Sequence, residues 1–467
     1  MKYAQNRSIL MDKDSTYSIS FENKTNSSII FNNQLFEKVK EQIKVLENYP
    51  YGCVEQTSSK LKALIFKDKI NKSLSIKEDL SKDILFLINR LNDYQNSEGS
   101  WGWWRKNQAD TRMTIYAMEV LLMASQSGYT NNLYLKAQDY ILDHLEDFNL
   151  SDKLYACYVL NKSTNSTKRF SSILNKIQFE DLQVIDKLYY FKLQQILGNE
   201  IPKQTLYALF QEMNSGINMP NRNNFFYDIK SEIYTAFSIF EGCSLADDYL
   251  QVFKSKLENG QLENNLNTFS RASLIESLAR LSLVSKQKPI QAEIIVNDSL
   301  RINTFPFKLN VNKSNYKFKH KGGNVFVNTS EENYMHEPII HDSAFSIRTY
   351  FVQHNKTTDT LQIGQQGFMH IVLNSFHSSE YVMVEIPIPA GLSIVNKNKL
   401  NAGNDYIEYH KNKVVIFYTK LPIGTKDIQL EFQPIFRGQF NMPASKASLM
   451  YYPFVFGNNL NRKIQIN

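Results

Sequence analysis

Tyr49-Pro50-Tyr51-Gly52-Cys53-Val54-Glu55-Gln56-Thr57 is the stretch from which the chain is best read. It lies between two apolar-periodic segments, Asn33 to Asn48 and Gln56 to Phe66, and is punctuated by Pro50 and Gly52, so it reads as a turn joining two helices. A cysteine three residues ahead of a glutamine reaches the side-chain amide carbon if that turn is tight. Gly52 supplies the backbone freedom for such a closure. Attack of the Cys53 thiol on the Gln56 carboxamide expels ammonia and leaves a thioester, a stored acyl electrophile that amines and hydroxyls can open. Water opens it too, so the bond has to be dry and covered until it is used. Alone, a C-x-x-Q spacing is also what a buried structural cysteine at a helix start presents.

Working outward, three zones separate by hydrophobic period. Residues 1–33 are polar, with alternating stretches such as Tyr17, Ile19 and Phe21 that read as strand. Residues 34–284 carry a succession of amphipathic helices. Asn132 to Phe148 sets Leu133, Ala137, Tyr140, Ile141 and Leu145 on one face, whereas Arg112 to Ser125 is apolar almost all round, as a helix buried on both sides requires. Further helical stretches fall near 77–94, 179–197, 228–241 and 265–284, a spacing that predicts hairpins packed in series as a solenoid or toroid. Beyond Pro289 the period falls to two: Ile294 to Val296, Ile302 to Leu309 and Asn324 to Val327 predict short strands. From about 339 a second β-rich block follows, where Ile428, Leu430 and Phe432 alternate with polar neighbours. Strand, long helical insert, then strands twice over is the order of a β-domain (1–33 and 285–338) interrupted by a helical domain (34–284) and followed by a β-sandwich (339–467).

The totals narrow the function. With 467 residues, 42% hydrophobic and 21% charged, the chain can bury a core without disulfides or metals. A net charge of +7 suggests an anionic partner, but basic and acidic residues interleave and the densest basic run is only Lys317 to Lys321. Nucleic-acid binding needs clustered cations, so a solvated surface is the better reading. Three cysteines, Cys53, Cys157 and Cys243, cannot all pair within the chain and lack zinc-site spacing. No apolar run is long enough to span a membrane, and Met1 to Ser15 lacks the core of a secretory signal.

The full string Tyr-Pro-Tyr-Gly-Cys-x-Glu-Gln-Thr-Ser-Ser resembles the thioester motif of bacterial α2-macroglobulins, relatives of the complement components. Cys53, Glu55 and Gln56 match residue for residue. Val54 replaces the glycine usual in animal members. Gln95-Asn96-Ser97-Glu98-Gly99-Ser100-Trp101 fits Q-x-x-x-G-x-W, a turn signature of α/α-toroids such as terpene cyclases. Trp101, Trp103 and Trp104 would pack that turn or, less simply, form a ligand platform. Near the C-terminus, Pro387 to Gly391, Arg437-Gly438-Gln439-Phe440 and Met450-Tyr451-Tyr452-Pro453 resemble the last macroglobulin domain.

The resemblance implies an α/α-toroid (terpenoid cyclase-like) inserted in a CUB-like β-domain, followed by a macroglobulin-type β-sandwich. It implies a Cys53–Gln56 thioester supported by Tyr51, Gly52 and Glu55 and shielded by Met450 and Tyr451. It also implies a non-enzymatic endopeptidase inhibitor of the periplasm or cell envelope, without cofactor or metal. Target proteases would be held covalently through lysine amines, working with upstream macroglobulin domains and a bait region absent from these residues. His144, the histidine of the helical region, reads as a packed or boundary residue; without a histidine relay, direct attack by amines is the expected route. A terpene cyclase or prenyltransferase on the same toroid is disfavoured. There is no D-x-D-D motif, Asp247-Asp248 lacks a third carboxylate, and His144 has no evident zinc partners. A non-covalent envelope interaction module that keeps the motif without forming the bond stays open.

Overall fold

Strands from both sides of the helical region share the same sheets, which is what makes the helices an insertion. The computed structural model describes residues 2–11, 14–22, 26–32, 35–164, 167–216, 229–240, 256–257, 266–285, 291–334, 340–397, 406–452 and 455–467. Three strands precede the helices: β1 (Lys2–Met11), β2 (Ser15–Ser20) and β3 (Ser27–Asn32). Five follow them: β4 (Ala292–Val296), β5 (Leu300–Ile302), β6 (Phe307–Asn310), β7 (Asn315–Gly322) and β8 (Val325–Tyr334). They build two four-stranded sheets, β1-β8-β3-β6 and β2-β7-β4-β5. Tyr17 registers against Phe318, and Ile29 against both Leu309 and Thr329. The buried alternate residues, including Ile19, Ile29, Phe31, Ile294, Phe318 and Val327, form one core. The basic run 317–321 falls on β7, with Lys317, Lys319 and Lys321 exposed while Phe318 and His320 are buried. It is the solvated face of a strand.

The helices close a ring. In order they are α1 (Leu35–Glu47), α2 (Val54–Ser73), α3 (Ser81–Tyr94), α4 (Thr111–Gln126), α5 (Leu133–His144), α6 (Leu150–Thr164), α7 (Thr167–Leu174), α8 (Val184–Ile196), α9 (Lys203–Gly216), α10 (Ile229–Phe240) and α11 (Thr268–Ser285). Among the described residues α2, α4, α6, α8, α10 and α11 pack each on the next, and α11 packs back on α2. Outside them α1 lies on α2 and α11, α3 on α2, α5 on α4, and α9 on α8 and α10. Burial follows position. The inner α4 buries every residue from Arg112 to Ala124, whereas the outer α3 buries a stripe of Ile84, Leu87, Ile88, Leu91 and Tyr94. Helices α6, α7 and α9 were not among the stretches picked out by periodicity. On α6, Leu154 to Leu160 is buried throughout and so shows no polar face from which a period could be read.

The ring's interior is polar. A cavity of about 20 Å³ is lined by all six inner helices, among them Lys62, Glu119, Tyr155, Tyr189, Tyr234 and Glu276. Buried charges there are paired: Lys62 with Glu276, Arg280 with Glu276 at 2.8 Å, and Lys162 with Glu119 at 2.7 Å. Tyr155 also donates to Glu119 at 2.7 Å. Pairing is what makes burial of these groups tolerable.

The chain divides into two compact units, Gln5–Glu331 and Glu332–Asn467 with Met1–Ala4. In the second unit, Phe345–Gln353, Gly367–Ser375 and Gly424–Pro434 form one antiparallel group, and Ser379–Pro387, Lys413–Leu421 and Lys446–Leu449 another. A core containing Phe351, Ile371, Leu430, Val384 and Ile416 draws on both, so this unit is a sandwich. The fold class expected from the sequence is therefore the one observed. Among the described residues no helix is long and apolar enough to cross a membrane, and no group of three or more His, Cys, Asp or Glu side chains is placed to hold a metal.

Candidate functional site

The Cys53 segment is a helix start as well as a turn. Helix α2 begins at Val54, with Cys53 as its N-cap (φ −65°, ψ 177°) and Gln56 as its third residue. The Cys53 N–H donates to Gln56 Oε1 at 3.1 Å, and the Gln56 N–H points to Cys53 Sγ at 3.5 Å. This is a capping box with cysteine in the place of serine or threonine. The sequence reading put Gln56 at the beginning of the second helix. The observed start two residues earlier means that helix geometry itself holds sulfur and carboxamide together. The pair is buried, with Cys53 0% and Gln56 1% exposed.

Four supports fix the turn. Arg90, on α3, donates from Nη2 to the Gly52 carbonyl at 2.9 Å and to the Tyr94 hydroxyl at 3.2 Å. A Cβ at position 52 would lie 2.5 Å from that same nitrogen, so any other residue here would push the guanidinium off the Gly52 carbonyl. Thr57 Oγ1 reaches the Gly52 carbonyl at 3.3 Å. The Trp103 carbonyl accepts the Val54 N–H at 3.0 Å, satisfying one of the helix's unpaired donors. Tyr51 is buried, and its ring meets the edge of Tyr49 at 5.7 Å between centroids.

Glu55 points away from the Cys53–Gln56 pair into the ring. Its Oε1 accepts from Ser59 Oγ at 2.6 Å and its Oε2 from Thr268 Oγ1 at 2.7 Å. Ser59 in turn lies 3.0 Å from the Tyr116 hydroxyl. Burial, reinforced by the Glu55 charge, holds the Tyr116 phenol well above its usual range and therefore protonated. Glu55 thus ties the first turn of α2 to α4 and α11 where the ring closes, a role the spacing alone did not reveal.

The Q-x-x-x-G-x-W stretch leads into Trp103, whose carbonyl meets the start of α2. Gly99 has φ +101°, and a Cβ there would meet the Lys136 carbonyl oxygen at 2.4 Å. Gln95 Nε2 bridges the carbonyls of Gly99 and Leu133 at 3.0 and 3.1 Å. Trp101, Trp103 and Trp104 are all buried, so they pack the turn and offer no ligand platform. Trp103 Nε1 donates to Asp110, which also caps α4 through the Met113 N–H.

Other expected residues lie elsewhere. His144 is exposed on α5, stacked on Tyr140 with ring centroids 4.2 Å apart. It is a surface residue and not a packed one, because the helix ends there and its apolar face is completed by Leu145. Met450 and Tyr451 follow the strand Lys446–Leu449 in the second unit. Both are buried; Met450 donates its N–H to the Tyr381 carbonyl at 2.8 Å, and the Tyr451 ring meets Tyr381 edge-on at 5.5 Å. Cys157 is buried on α6. Cys243, Asp247 and Asp248 lie outside the described residues.

Arg90, Tyr116 and Thr268 are site residues that sequence reasoning missed, and Tyr49, Ser59 and Trp103, though within stretches it quoted, were given no role at the Cys53–Gln56 pair. Ser59 carried a signal, one helical turn after Glu55. Arg90 and Thr268 are 38 and 213 residues from their partners and carried none.

Comparison with known proteins agrees with this fold. Residues 346–453 match the model of the bacterial α2-macroglobulin MG10 domain, and residues 28–146 that of the A-macroglobulin TED domain. A curated α2-macroglobulin of Thermotoga maritima is 32% identical over 138 residues, 29% of this chain and 8% of that protein. The Escherichia coli α2-macroglobulin is 30% identical over 122 residues, 24% of this chain and 7% of that protein. The matched segments are thus less than a tenth of either relative. Among solved structures, native E. coli α2-macroglobulin from domain MG7 to the C-terminus superposes with TM-score 0.80 at 15% identity, covering 100% of this chain and 82% of that one. Salmonella α2-macroglobulin reacted with methylamine gives TM-score 0.80 at 14% identity, covering 100% and 34%. At such identities the structural matches speak to fold alone.

Proposed function

We propose a function from the premise that this chain carries the C-terminal domains of the bacterial α2-macroglobulin family, TED and MG10. The chain is the capture part of an endopeptidase inhibitor. The Cys53 thiol adds to the Gln56 carboxamide carbon, the C–N bond breaks, and ammonia leaves with the thiol proton, giving a thioester. A lysine amine of a target protease then attacks the same carbon. The C–S bond breaks, an amide joins Gln56 to the protease, and Cys53 regains its thiol. The departing sulfur takes up its negative charge at the positive end of the α2 dipole.

The observation that carries this reading is the buried, reciprocal hydrogen bonding of Cys53 and Gln56 across the first turn of α2. Tyr51, Gly52 and Glu55 support that turn. Met450 and Tyr451 of the MG10 domain act as the cover that keeps water out until upstream domains and a bait region signal an attack. The location is the periplasm or cell envelope.

Intact mass of freshly purified protein tests this. The expected value is short by one ammonia; methylamine treatment should add one methylamine and release one thiol, and Cys53→Ala should abolish both. An unmodified Gln56 in the wild type would leave the chain a non-covalent interaction module.

A further inference from the structure

The carboxamide of Gln56 is held by both of its ends, and the two ends face different chemistry. Oε1 takes the Cys53 N–H, whereas Nε2 donates to the Tyr49 hydroxyl oxygen at 3.5 Å. Tyr49 is held in turn. Lys60 Nζ donates to its carbonyl at 2.5 Å, its own N–H bonds the Leu46 carbonyl, and its ring leans on Tyr51. Resting on the thioester reading above, we propose that the Tyr49 hydroxyl is the proton carrier for making and opening that bond.

An amide nitrogen does not leave as an anion; it must gain a proton as the C–N bond breaks. Cys53 and Gln56 are buried, so a side chain already bonded to the amide is better placed than bulk water to supply that proton. Other acidic or basic groups nearby are turned elsewhere. Glu55 is engaged by Ser59 and Thr268 on the ring side, and His144 sits on the outer helix α5. Among the described residues, Tyr49 Oη is the side-chain atom that Nε2 meets, at 3.5 Å.

When sulfur adds to the carbonyl carbon, the nitrogen becomes tetrahedral and gains a lone pair. The phenol O–H turns to donate into it, the C–N bond breaks and ammonia departs. The Cys53 thiol proton then restores the phenol, so one thiol and one carboxamide yield one thioester and one ammonia. An attacking amine occupies the position that ammonia left. By microscopic reversibility the Tyr49 hydroxyl then gives its proton to the departing Cys53 sulfur and is restored by a proton from the attacking amine.

The test is Tyr49→Phe, which keeps the ring and its packing but removes the hydroxyl. Intact mass and peptide sequencing at position 56 are read beside wild type showing the ammonia loss. We expect unmodified Gln56 to accumulate in the variant. In whatever fraction carries the thioester, we expect methylamine to react on the order of a hundredfold more slowly. Tyr49→His, which restores a proton carrier, should recover much of that loss, and it serves as the second variant should phenylalanine disturb folding. Ammonia loss equal to wild type with unchanged or faster methylamine reaction would overturn the proposal. So would Glu at position 56 in the variant, which marks a bond that formed and fell to water and makes Tyr49 a shield only. Unmodified Gln56 in the wild type itself would sink the thioester reading, and this proposal with it.

Discussion

Cys53 and Gln56 bond each other reciprocally, the Cys53 N–H to Gln56 Oε1 at 3.1 Å and the Gln56 N–H towards Cys53 Sγ at 3.5 Å. The pair is therefore held by the same geometry that starts the helix. Proximity of this kind removes most of the entropic barrier to joining them. Whatever moves the first turn of α2 moves both members of the pair.

Gly52 and Arg90 should prove coupled. Gly52→Ala drives a methyl into the guanidinium, which can swing aside, so the cost should match that of the lost bond to the Gly52 carbonyl, about 0.5–1.5 kcal/mol. Arg90→Ala makes room but deprives the Gly52 carbonyl of its donor. The double variant should be less damaged than the sum, with a coupling of about 0.5–1.5 kcal/mol in urea unfolding. Additive losses would mean that the contact carries nothing.

Thr268→Val keeps the shape at the start of α11 and removes one donor to the Glu55 carboxylate. Hydrogen bonds to charged groups contribute about 1.5–3 kcal/mol, and a loss of that size is expected in the unfolding midpoint. The ammonia deficit at Gln56 should fall in parallel. A variant as stable and as fully modified as wild type would show that Glu55 is anchored elsewhere.

Burial pushes the Cys157 thiol up to about 12. Its thiolate is scarce at neutral pH, so it should stay unlabelled by iodoacetamide at pH 7 to 8 in the folded protein. The thiol released by methylamine should map to Cys53 by peptide sequencing. Rapid labelling of Cys157 before any amine is added would contradict this placement.

Burial pushes the Glu276 carboxyl up, but the charges of Lys62, Arg280 and Lys162 outweigh it and hold the group well below its usual 4.5. The folded value is depressed, so the stability it contributes is present above pH 4.5 and is lost as pH falls towards the folded value. Glu276→Gln leaves Lys62 buried without its counter-charge. It should cost about 3–5 kcal/mol at pH 7. That penalty should shrink on acidification below pH 4.5, and a pH-independent difference between the two proteins would refute the assignment.

How much of this the sequence disclosed depended on distance along the chain. Cys53, Glu55 and Gln56 were legible because their chemistry is local, and Gln95, Gly99 and Trp101 because a turn needs fixed residue types at fixed offsets. Even so, reading the motif as a turn missed the N-cap, since cysteine is not a usual capping residue. Periodicity found the outer helices α3 and α5 through their stripes, though not α9. It missed α6, which is buried on all sides over Leu154 to Leu160. Arg90 and Thr268 reach the site only through packing of the ring, which no local pattern encodes.

The link between Glu55 and Thr268 has a consequence for the order of events during synthesis. A ribosome releases Glu55 more than two hundred residues before Thr268, whose separation in sequence is 213. A nascent chain can thus display the complete Cys53–Gln56 motif long before the helix that steadies its first turn exists. The motif is written early and its scaffold completed late, so a chain ending short of residue 268 would retain the reacting residues and lose the contact between α2 and α11 that braces them.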